Sequence, residues 1–119
     1  MSHPVIARRH AERCAAIQRV EHWASRLVGR LDVCAVVVVG SVARGDFNKW
    51  SDTDVLVIAE DLPPGPRARL ALLQHDAPVG VQPVAWTESE FSARLLRRDP
   101  LALEAVSVGV VVSGHLPHR

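Results

Sequence analysis

Apolar residues recur at helical spacing through the first quarter of the chain: Ile6, Cys14, Ile17, Val20, Ala24, Leu27 and Leu31 fall near one stripe, with arginines opposite. The spacing predicts one long amphipathic helix from Pro4 to about Gly29. Then the period changes. Residues 33–40, "VCAVVVVG", form a β-branched run without polar alternation, which predicts a strand covered on both faces and ended by Gly40. "DVLVIA", Asp54 to Ala59, is a second run of this kind. After the proline-punctuated loop "EDLPPGP", a short helix is expected from Arg67 to Gln74. "VGVQPVAW" reads as a third strand, placed toward a sheet edge because Pro83 removes a ladder donor. Thr87 and Glu90 have the spacing of a capping box, and Asp99 followed by Pro100 gives an N-cap with a first-turn proline. Two further helices are therefore expected, the second ending near Val106, before Gly109 and the run "VVVS". The order is α-β-β-α-β-α-α with a closing strand.

Length and composition narrow the classes. A chain of 119 residues with 48% apolar and 23% charged residues fits one ordered domain. A bulky acceptor would have to be held by a second chain or a homo-oligomer. The formal charge of +1 argues against blanket nucleic-acid binding, which rests on many basic groups and counterion release. Charge is nonetheless uneven: Arg8, Arg9, Arg13, Arg19, Arg26 and Arg30 face only Glu12 and Glu21, which reads either as a solvated helix face or as a docking surface for an anionic partner. Cys14 and Cys34 are too far apart for a C-x-x-C motif and are expected as buried thiols in a reducing compartment. With no apolar run approaching the roughly 20 residues that span a bilayer, and no leader pattern, a cytoplasmic protein without membrane contact is expected.

The chemistry concentrates between the first two strands, in "GSVARGDFNKWSDTDVLV". A plain hairpin needs only a few turn residues, so this length serves something besides chain reversal. Gly40 permits close approach of the backbone to a ligand, and amides and the hydroxyl near Ser41 would offer donors to phosphate oxygens, above all if a short helix starts there. Asp52 and Asp54, two apart at the start of a strand, point to one face and can share hard cations. Magnesium suits such a pair, since it takes a few carboxylates together with substrate phosphates. The combination describes a site for nucleotidyl transfer.

These residues also carry a resemblance. The pattern G-S-x-A-R-G-x(5)-S-D-x-D, carried by Gly40, Ser41, Ala43, Arg44, Gly45, Ser51, Asp52 and Asp54, resembles the minimal nucleotidyltransferase (MNT) family of the DNA polymerase beta superfamily. The likeness extends through "VQPVAWTESEF" and "DPLALEAVSVGVVVSG", from about Val33 to Gly114. It divides the chain into an amphipathic helix (1–30), a catalytic-type core (33–114) and a tail (115–119). The resemblance implies a small α/β nucleotidyltransferase fold, a mixed sheet flanked by helices. By the same resemblance Gly40 and Ser41 contact the phosphates of ATP, with Arg44 and Ser51 beside them, while Asp52 and Asp54 carry two magnesium ions and the catalysis. The family adds a third carboxylate on the next strand, where this chain has Gln82, a candidate third-ligand position filled by an amide. Activation of the acceptor hydroxyl would then fall to Asp54, to another acid such as Glu60, or to a metal-bound water.

Stand-alone domains of this family commonly act as antitoxins of small helical HEPN-type ribonuclease toxins, by adding AMP to a tyrosine hydroxyl or by complex formation. The resemblance therefore implies a HEPN-type partner. A non-catalytic nucleotide-binding antitoxin is the first alternative and a small-molecule (antibiotic) nucleotidyltransferase the second; nucleic-acid tailing is disfavoured by the near-neutral charge. Arg44 reads as a phosphate clamp or a helix-surface arginine, Trp50 as a base-stacking or a core residue. Asp46 and Asn48 read as loop-shaping residues.

Overall fold

The valine-rich run that follows the first helix forms the interior of a mixed, four-stranded sheet. The computed structural model describes residues 4–46 and 52–117. Its elements are α1 (Pro4–Val28), β1 (Val33–Val39), α2 (Gly40–Arg44), β2 (Thr53–Ala59), α3 (Pro66–Gln74), β3 (Val81–Trp86), α4 (Glu88–Leu96), α5 (Pro100–Ser107) and β4 (Val110–Gly114). Strand order is β3-β2-β1-β4, with β1 antiparallel to β2 and β4, and β2 parallel to β3.

Because side chains alternate along a strand, β1 and β2 feed two cores. Val36, Val38, Val55, Val57 and Ala59 pack under α1 and α3 with Val20, Trp23, Leu27 and Leu73. Ala35, Val37, Val39, Leu56 and Ile58 pack on the opposite face with Trp86, Phe91, Ala102 and Ala105 of β3, α4 and α5. The result is a three-layer α/β/α arrangement, and burial on both faces explains why neither inner strand alternates with polar residues.

Local chemistry sets the boundaries. Thr87 Oγ1 accepts the Glu90 N–H (3.2 Å) while Glu90 Oε1 accepts that of Thr87 (2.8 Å), the capping box its sequence spacing predicts. Asp99 Oδ1 accepts the amides of Leu101 and Ala102, with Pro100 in the first turn. Pro83 does lie on an edge strand, β3. Arg69 covers that edge, donating to the carbonyls of Pro63 (2.7 Å) and Ala85 (3.3 Å) and pairing with Glu90 (2.6 Å).

Two expectations fail, the burial of both thiols and the reach of the buried stripe along α1. Cys14 is exposed rather than buried, its Sγ 3.7 Å from His10 Nε2, and Cys34 is only half-buried. Ile6, on the predicted stripe, is 64% exposed. The cause is geometric: a 25-residue helix runs about 37 Å, longer than the sheet beneath it, and its burial begins at Ala16. Among the described residues no helix is long and apolar enough to cross a membrane.

Candidate nucleotidyl-transfer site

Where β1 ends, α2 begins at Gly40 with φ +70°, a conformation that favours glycine. A Cβ there would lie 2.5 Å from Asp54 Oδ2, so the Asp54 carboxylate sits directly against the Gly40 backbone. As the carboxylate is placed, it leaves no room for a Cβ. Register explains the meeting, since Val39 pairs with Asp54 across β1 and β2. On its other side Asp54 pairs with Gln82 of β3, and paired residues in a sheet share a face. The amide of Gln82 is thus beside Asp54 and exposed to solvent.

Asp52 is exposed, just ahead of β2, and shares the Asp54 face by alternation. Asp54 carries a raised pKa: partial burial is the largest cause, followed by the negative charges of Asp52 and Glu104, with Arg44 acting in the opposite direction. The Asp54 carboxylate, set against Gly40 with the charges of Asp52 and Glu104 nearby, makes a place suited to a divalent cation. The donor set therefore fits magnesium at Asp52 and Asp54. Among the described residues no group of three or more histidine, cysteine or acidic side chains is placed to hold a metal ion.

Helix α2 has five residues and is locked at its far end. Gly45, at φ 82°, donates to the Ser41 and Val42 carbonyls, and Asp46 N–H to that of Ser41. From α1, Arg13 donates through Nε to the Val42 carbonyl (2.8 Å) and through Nη2 to that of Ala43 (3.1 Å). Ser41 lies half-buried in the first turn. Arg44 is exposed; its Nη1 donates to Glu104 Oε2 at 2.7 Å and its Nε lies 3.4 Å from Asp46 Oδ2. Ser51, like Asn48, Lys49 and Trp50, lies outside the described residues.

Sequence reasoning missed Glu104. Its Oε1 accepts the Gly40 N–H at 2.6 Å, 64 positions away in the chain. The available signal was its isolation, as the single charge in the otherwise apolar helix "PLALEAVS". Glu60, considered as an alternative base, is corrected by position: it follows the far end of β2, about 20 Å of strand from Asp54, and accepts the Glu88 N–H at 2.8 Å.

A sequence model of the nucleotidyltransferase domain family matches residues 22–102. The chain belongs to that family. The match takes in β1, α2 and the Gly40–Asp54 pair, and the nucleotidyltransferase fold is found again in a solved structure. A protein of Sulfolobus solfataricus, described as a candidate nucleotidyltransferase, superposes with a TM-score of 0.67 over 87% of this chain and 84% of its own, at 16% identity. No curated protein matches the sequence significantly. Membership supports nucleotidyl transfer as the chemistry of this domain.

Proposed function

We propose that this nucleotidyltransferase domain moves AMP from ATP to a hydroxyl of a partner protein, with magnesium, as the antitoxin of a HEPN-type ribonuclease toxin. One observation carries the transfer reading: the Asp54 carboxylate rests on the backbone of Gly40, which would bring a metal-binding acid beside a phosphate donor. The Gly40 amide and the Arg44 guanidinium are the groups that would hold phosphate oxygens. Asp52 and Asp54 would hold magnesium, which when bound polarises the attacked phosphorus and neutralises the leaving pyrophosphate. In the transfer, the acceptor oxygen bonds to the α-phosphorus as the bond to the β-phosphate oxygen breaks. The Asp54 carboxylate would take the hydroxyl proton, a role that the neighbouring Gln82 amide cannot fill. The antitoxin assignment and the HEPN partner rest on the family resemblance of the motif.

A second reading, neutralisation of the partner by contact alone, is favoured by Gln82, an amide beside Asp54 at the third-ligand position. One experiment separates the two. The partner is co-purified, incubated with ATP and magnesium, and weighed by mass spectrometry, beside a protein carrying Asp52→Asn and Asp54→Asn. Transfer adds one AMP mass to the partner with wild type and none with the double variant. A tight complex with no mass change in either preparation establishes the contact reading.

A further inference from the structure

Glu104 occupies a peculiar place for a carboxylate. Its two oxygens are taken by two different donors, the Gly40 amide at 2.6 Å and Arg44 Nη1 at 2.7 Å, and its side chain is only 24% exposed. On the nucleotidyl-transfer reading, these same two donors meet the phosphate oxygens of the incoming triphosphate. A backbone amide has one hydrogen to give, so it serves Glu104 or a phosphate but not both. The Glu104 charge also stands near Asp54, where a triphosphate brings more negative charge.

We propose that Glu104 is a built-in phosphate mimic, holding the donor set until a triphosphate binds by displacing its carboxylate. The inference rests on the nucleotidyl-transfer reading and deepens it. Displacement needs only side-chain rotation. Helix α5 itself is held by the Asp99 cap and by buried Ala102 and Ala105, so the displacement falls to the Glu104 side chain. Until it leaves, Glu104 keeps Gly40 and Arg44 in their binding positions, and the fraction of molecules with it swung away scales the apparent affinity.

The test is titration of wild type, Glu104→Gln and Glu104→Ala with magnesium tripolyphosphate and with magnesium ATP, by calorimetry, beside the thermal transition of each ligand-free protein. The mimic predicts opposite movements: a lower transition temperature without ligand, and binding tightened at least about fivefold. A purely structural role lowers the transition temperature without tightening binding. The glutamine variant keeps shape and an acceptor oxygen, so it decides the matter should the alanine variant fail to fold. Equal or weaker binding in the folded variants overturns the proposal, weaker binding assigning Glu104 to the metal or phosphate site instead. Binding by wild type with no gain in the variants sinks the mimic and leaves the transfer reading standing, whereas no binding by any of the three proteins overturns both.

Discussion

Gly40 carries two constraints that a single methyl group would violate together. In Gly40→Ala the added Cβ meets the Asp54 carboxylate and the backbone keeps a positive φ that alanine tolerates poorly, so we expect a loss of at least about 1 kcal/mol in denaturant titration and loss of nucleotide binding. Asp54 itself works against the fold. Its folded pKa lies above the ordinary carboxylate value, so its ionisation opposes folding once the pH exceeds that ordinary value. Asp54→Asn is therefore expected to raise the thermal transition at neutral pH in chelator-treated protein, as scanning calorimetry would show, while removing transfer. The glycine and the acid pair were legible in the sequence because each is a local signal: a φ requirement and a two-residue spacing. Glu104 was not, because its role comes from a contact across 64 positions of the chain that no period encodes.

At the scale of elements, capping does much of the specifying. Thr87→Ala removes the acceptor for the Glu90 amide and should cost about 1 kcal/mol in chemical unfolding, with the site left intact. Glu90 is also the partner of Arg69, which joins α3 and the edge of β3 to α4. Strands and caps could be read in advance because burial on two faces leaves an unbroken apolar run, and side-chain caps recur at fixed spacing. The overreach in α1 has a physical origin as well: helical periodicity reports amphipathicity, yet nothing in a single helix says where the sheet beneath it ends. Residues 5–11 are exposed, and Arg13 ties α1 to the rest of the fold by closing α2.

Acid links the elements into one molecule. Hydrogen bonds from Arg69 and the Thr87 amide hold Glu90 below its usual range. Burial pushes Asp76 and Asp99 upward, but bonds from Trp23, Arg26 and Arg30 to Asp76, and from the Ala102 and Leu101 amides and Arg94 to Asp99, outweigh it and bring both below the usual value. Each folded pKa lies beneath its unfolded one, so this stabilisation is complete above about pH 4 and lost as the pH falls further. Urea midpoints measured across that window should drop steeply, and less so for Asp76→Asn, which starts weaker. The sheet order has a different consequence. β1 is seven uncharged residues, rich in valine and without proline, held between β2 and β4. Such a segment has the composition of an amyloid spine when its edge is bare. β4 thus covers an aggregation hazard, and a protein that loses it is expected to form fibres, which an amyloid-dye assay would report.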